Sequence, residues 1–177
     1  MSLDALKDRL PAYAKDIKLN LSSVMTSTSL TAQQVAGISL AAAFAGRNAT
    51  VIREIHDEVA GRLSEEALAA AKAAAAIMGM NNIYYRSVHL LSNKEYQTMP
   101  ANLRMQVIGN PGVDKLDFEL WSLAVSAVNG CGQCLESHER EVLSKGASKA
   151  GVQDTLRIAA VIHAAAALLD AEEALAA

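Results

Sequence analysis

The chain is poor in aromatics, which make up 4% of its 177 residues, and it has only two cysteines. It carries no basic stripe. A net charge of -3 and a pI near 5.8 leave no electrostatic footprint for a nucleic-acid partner. No targeting signal is visible at the start, where Asp4, Lys7, Asp8 and Arg9 interrupt any apolar run. The longest apolar stretch, Ile158 to Leu169, contains His163 and is too short to span a bilayer. No run of β-branched residues with period two occurs, so strands are not expected. These absences predict an all-α, cytoplasmic protein without a membrane segment. In that compartment a close cysteine pair is more often catalytic or metal-binding than a permanent structural bridge.

What the chain does have is helix-forming material. It is 51% hydrophobic and holds 34 alanines, whose small side chains let helices approach closely. Its length suits one domain over residues 1–177 with a core that needs no cross-links. Thr31-Ala32-Gln33-Gln34 reads as a capping box ahead of Val35 to Phe44. Asn48 is placed to cap a helix ending near Gly61, and Ser64 one that reaches Met78, where Gly79 is expected to break it. Further helices are expected after Gly79 through Val88, from Met99-Pro100-Ala101 through Ile108, and from Asp114 through Val128. Asn129-Gly130 interrupts, Cys131 opens a helix running to Lys145, and Ser148 caps a last helix from Val152 to about Leu169. A faint internal echo at an offset of 51 residues aligns Gly79 with Gly130, Ala73 with Ala124 and Ala76 with Ala127.

The chemistry concentrates in residues 114–146. Cys131-Gly132-Gln133-Cys134 is followed one helical turn later by His138. On a helix these three side chains share one narrow stripe, at about 100° per residue. A helix start at Cys131 favours thiolate over thiol, because unpaired N–H groups and the positive dipole end lie there. A neighbouring imidazole can accept the thiol proton. The spacing also lets one sulfur attack a substrate and the other resolve the product as an internal disulfide. A zinc site built from Cys131, Cys134, His138 and one carboxylate is the competing reading, although the chain offers no second CxxC.

Glu119, then eleven residues, then Cys131-x-x-Cys134-x-x-x-His138 resembles the active-site motif of the alkyl hydroperoxidase D family, in the carboxymuconolactone decarboxylase-like superfamily. Flanking stretches agree, among them Asn110-Pro111-Gly112, Phe118 to Ser122, Val125 to Gly130, Tyr13 to Leu21 and Ala76 to Asn82. The resemblance implies an all-helical antioxidant peroxidase, commonly a homotrimer, with a redox disulfide between Cys131 and Cys134. It implies Cys134 as the sulfur that becomes oxidised, Cys131 as its resolving partner, and Glu119 with His138 as the proton relay. It further implies no tightly bound cofactor and no metal. Electrons would come from dihydrolipoamide on a lipoyl-bearing protein such as dihydrolipoamide acyltransferase, with NADH as ultimate source. They would pass on to a C-type peroxiredoxin. Gln133 stands where some family members carry a histidine, and glutamine cannot titrate.

Two other functions remain open at this point, a redox or zinc sensor without turnover and a non-redox lyase of the carboxymuconolactone decarboxylase kind. Among the remaining residues, His163 reads as a core or subunit-contact histidine, and His56 and His89 as surface residues. Met78, Met80 and Trp121 read as packing, with Trp121 a possible wall of the site. The alanine-rich faces Ala67 to Ala76 and Ala164 to Ala167 suit either the core or a subunit interface.

Overall fold

The computed structural model describes residues 2–176. Its helices are α1 (Ser2–Arg9), α2 (Lys15–Val24), α3 (Ala32–Gly46), α4 (Ala49–Val59), α5 (Glu65–Leu90), α6 (Gln106–Gly109), α7 (Lys115–Val128), α8 (Gly132–Ser144) and α9 (Lys149–Ala176), with no strand among the described residues. The expected caps are in place. The Thr31 hydroxyl accepts the Gln34 N–H at 3.1 Å while the Gln34 side chain accepts the Thr31 N–H at 3.0 Å. Asn48, Ser64, Asp114 and Ser148 accept the amides of Val51, Ala67, Leu116 and Gly151 at 2.8–3.2 Å. Each such cap stabilises its helix by roughly 1 kcal/mol.

The interior forms around α3, which packs against α4, α5, α7 and α9. Small residues permit this: Ala36, Ala41, Ala42 and Ala43 of α3 are wholly buried, as are Ala71 and Ala74 of α5 and Ala165 and Ala166 of α9. Two of the scarce aromatics lie here too, Phe118 and Trp121 of α7, both fully buried. Trp121 lays its indole on the backbone of α3 at Gly37. A Cβ there would lie 2.1 Å from the ring, so only glycine admits this approach. Trp121 therefore belongs to the helix–helix contact and does not wall the cavity described below. Asp117, also buried, accepts from Gln33 at 2.7 Å and Gln34 at 2.8 Å, tying the start of α3 to α7.

Several expectations are corrected. Gly79 does not break a helix: α5 runs unbroken for 26 residues. Apart from its chain neighbours and the backbone of its own helical turns, nothing lies within 4 Å of where a Gly79 Cβ would stand. The penalty is thus only the propensity term of about 1 kcal/mol, which the packing of α5 on α3 and α7 outweighs. The conformations at Gly79 and Gly130 consequently differ, one being helix interior and the other a turn. No helix starts at Met99. Residues 100–105 are irregular, Asn102 takes a left-handed φ of 52°, and only the single turn of α6 coils. Leu103, Val107 and Ile108 are half-buried, too little burial to hold a longer helix. Two further helices, α1 and α2, form where none is expected, and α2 begins without a side-chain cap. The helix capped by Asn48 ends at Val59, with a 3-10 turn over Ala60–Arg62.

His163 is exposed and not a core residue; within the last helix the side chains of Ile158, Ile162 and Leu169 face inward instead. His89 is exposed and His56 half-buried beside Asp57. The alanine faces split: Ala67, Ala70, Ala71 and Ala74 are buried, and Ala69 and Ala76 exposed. No helix among the described residues is long and apolar enough to cross a membrane.

Candidate active site

The turn between α7 and α8 positions the cysteines. Gly130 takes φ 66°, a conformation glycine adopts without strain, and this lets α8 fold back along α7. A partly buried polar network holds the turn. Asn82 of α5 donates to the Ser126 hydroxyl at 2.9 Å and accepts from the Asn129 side chain at 3.0 Å. Arg86 donates to the Asn129 carbonyl at 2.8 Å. The Cys131 N–H then bonds the Ser126 carbonyl at 3.1 Å.

Cys131 is the N-cap of α8, in an extended conformation ahead of the first turn. The one-face stripe expected for a continuous helix therefore holds for Cys134 and His138 only. Cys131 and Cys134 are joined as a disulfide with Cα atoms 5.3 Å apart. The Cys131 sulfur accepts the Cys134 N–H at 3.3 Å, so the helix start acts on that sulfur directly. The two sulfurs are not equivalent. Cys131 is fully buried, whereas Cys134 is 6% exposed and lines a cavity of about 450 Å³.

Glu119 and His138 meet at this cavity. Glu119 Oε2 lies 2.6 Å from His138 Nδ1, both side chains being buried. An ionised carboxylate only accepts hydrogen bonds, so Nδ1 carries the proton and Nε2 is the nitrogen left for chemistry. Nε2 faces the Met78 sulfur at 3.3 Å. Lys115, four residues before Glu119, places its ammonium 3.4 Å from Glu119 Oε1 and also donates to the Ile108 carbonyl. Burial pushes the Glu119 carboxyl up, but the hydrogen bond and charge of His138, together with Lys115, outweigh it and hold it below the ordinary glutamate value.

The structure thus brings together all four side chains singled out from the sequence, on α7, the turn and α8. Gln133 also lines the cavity, as do Met78, Asn81 and Tyr85 of α5. Met78 packs as expected and also touches the imidazole. Lys115 could have been found from its i, i+4 spacing to Glu119. Asn82 and Arg86 carried no local signal, because their partners are more than 40 residues away along the chain. Among the described residues, no group of three or more His, Cys, Asp and Glu side chains comes together to hold a metal ion. Met80 and Ile83, the counterparts of the cysteines in the internal echo, are half-buried and exposed and build no second site.

Comparison with known proteins gives a consistent picture. The profile of the carboxymuconolactone decarboxylase family matches residues 94–177. The alkyl hydroperoxide reductase AhpD of Rhodospirillum centenum is 63% identical over 175 residues, covering 99% of this chain and 94% of that protein. The protein of the same name from Hyphomonas neptunium is 59% identical over 177 residues, covering 100% of this chain and 98% of that protein. That from Streptomyces coelicolor is 56% identical over 177 residues, covering 100% and 99%.

Proposed function

The chain belongs to the AhpD family of the carboxymuconolactone decarboxylase-like superfamily, and from that premise we propose that it is a thiol-dependent alkyl hydroperoxide reductase with Cys134 as the reacting sulfur. The observation that carries this reading is the asymmetry of the pair: Cys134 lines the cavity beside Glu119 and His138, and Cys131 is sealed behind it. In the reduced protein, His138 accepts the Cys134 thiol proton at Nε2 while Glu119 fixes the ring through Nδ1. The Cys134 thiolate attacks the outer oxygen of a hydroperoxide, the O–O bond breaks, and the alcohol leaves with the proton returned by His138. Cys134 is then a sulfenic acid, and Cys131 displaces water from it to form the disulfide.

Dihydrolipoamide, borne by a lipoyl protein and ultimately reduced by NADH, opens the disulfide by two exchange steps. It leaves as the cyclic disulfide, and both cysteines are thiols again. The same pair re-reduces a C-type peroxiredoxin, with Cys134 attacking the partner's disulfide. No tightly bound cofactor or metal enters the cycle. Gln133, exposed at the cavity wall, cannot titrate and takes no acid–base part.

The test is NADH oxidation by dihydrolipoamide dehydrogenase, lipoamide and an organic hydroperoxide, with this protein added, with and without a C-type peroxiredoxin. Turnover that rises with the peroxiredoxin and disappears in Cys134→Ser is the expected result. Unchanged turnover in Cys134→Ser would remove the assignment.

A further inference from the structure

Lys115 makes two contacts from one ammonium. It lies 3.4 Å from Glu119 Oε1 on α7 and donates to the Ile108 carbonyl in α6. The two Glu119 oxygens are thereby divided, Oε1 facing Lys115 and Oε2 facing His138 at 2.6 Å. Helix α6 needs such a fastening. It is a single turn of four residues, too short to hold itself, and Ile108 lies near its end, where helical carbonyls lack partners within the ladder. Yet Ile108, with Met105 just ahead of the turn, lines the cavity beside Cys134. Lys115 is the only lysine or arginine among the described residues that line this cavity. The other titratable groups on its wall, besides Glu119, His138 and Cys134, are Tyr85 of α5 and Glu141 of α8, whose carboxylate is paired with Lys145 at 3.2 Å. The remaining charges on the helices packed against α7 are engaged elsewhere. Arg86 of α5 bonds the Asn129 carbonyl, Asp154 and Asp170 of α9 bond Ser27 and Asn48, and α3 carries no charged residue. Asp117 of α7 is turned to Gln33 and Gln34.

We infer that Lys115 is a positioning residue that fastens α6 to the Glu119–His138 pair, so that one ammonium sets both the cavity wall and the proton chemistry beside Cys134. The electrostatic half has a definite sign. A cation favours the deprotonated form of every group within its reach. Removing it disfavours proton loss from the imidazolium and from the Cys134 thiol alike, so Cys134 becomes reactive only at higher pH. The mechanical half follows from the shared ammonium. Glu119 bonds His138 and Lys115, and when its charge is removed Lys115 loses one of its two anchors and α6 loosens. The inference rests on the proposed relay at Cys134 and adds the residue that ties the relay to the wall.

The experiment uses the unmodified protein, Lys115→Met, which removes the charge at similar volume, Lys115→Arg, which keeps it, and Glu119→Gln. The rate of Cys134 alkylation by iodoacetamide is followed across pH in the reduced proteins. Backbone hydrogen exchange over residues 106–110 is read by mass, with α3 of the same molecule as reference. In Lys115→Met the midpoint of the alkylation profile should move up by about half a pH unit, about a threefold slower rate on its lower limb, and Lys115→Arg should restore it. Exchange over residues 106–110 should speed up relative to α3 in both Lys115→Met and Glu119→Gln. A midpoint unmoved in Lys115→Met, even with a slower rate at every pH, would overturn the inference, because a merely structural loss gives that result. Exchange unchanged in Glu119→Gln would overturn it equally. His138→Gln separates the two levels: if it moves the midpoint and Lys115→Met does not, Lys115 alone loses its role, and if neither does, the relay falls with it.

Discussion

At the scale of single residues, the site is a carboxylate and an imidazole fixed against each other beside one accessible sulfur. The Glu119 carboxyl lies below its ordinary value in the folded protein because His138 and Lys115 favour its charged form. A carboxyl depressed in this way contributes stability that is present above the unfolded value of about 4.3 and lost as pH falls through the native value. Glu119→Gln removes that contribution. The stability gap between the unmodified protein and the variant, read from urea midpoints, should therefore be largest near neutral pH. It should shrink as pH is lowered below about 4. A gap that stays constant across that range would show that Glu119 is not held in its charged form by its neighbours. Replacing His138 with glutamine removes the acid–base group, and turnover should fall on the order of 100-fold at neutral pH. Rates within a few-fold of the unmodified protein would separate the Glu119–His138 pair from the chemistry.

At the scale of elements, the two informative glycines act in opposite directions. Gly37 is the only residue that lets the Trp121 indole rest on α3, so Gly37→Ala should destabilise by about 3 kcal/mol, the upper end for overpacking against a rigid ring. Gly79 faces open space within a regular helix, and Gly79→Ala should stabilise by up to about 1 kcal/mol. Chemical denaturation of both variants reads the two signs, and a loss of stability in Gly79→Ala would contradict an unstrained α5 at that point. The same elements show what was legible in the sequence. Caps were, because Thr31, Asn48, Ser64 and Asp114 act within three residues of themselves. Gly79 was misread because intrinsic propensity is local, whereas burial of α5 against α3 and α7 is not. The segment from Met99 was misread for the converse reason: its apolar positions suit a helix, but little of the chain packs over them. In the site, the spacing from Glu119 to His138 was readable, while Asn82 and Arg86 depend on the approach of α5 to the α7–α8 turn, which no local pattern encodes.

At the scale of the whole molecule, five of the nine large exposed apolar residues among those described fall between residues 83 and 99, at the end of α5 and just beyond it. Ile83, Leu90, Leu91, Tyr96 and Met99 are each at least 45% exposed. Apolar residues exposed close together suit an association site, and we propose that this one serves the homotrimer implied by the family resemblance. Sedimentation at micromolar concentration should give the trimer mass, and Leu90→Glu should shift it toward monomer. Monomer alone in the unmodified protein would remove the trimer. The central claim, however, concerns two sulfurs of unequal access. It is tested most directly by reducing the protein, quenching it over time with iodoacetamide, and locating the label by peptide mass. Cys134 should be alkylated first, at least tenfold faster than Cys131 and more slowly in His138→Gln. Labelling of Cys131 first, or of both sulfurs at equal rates, would contradict the account.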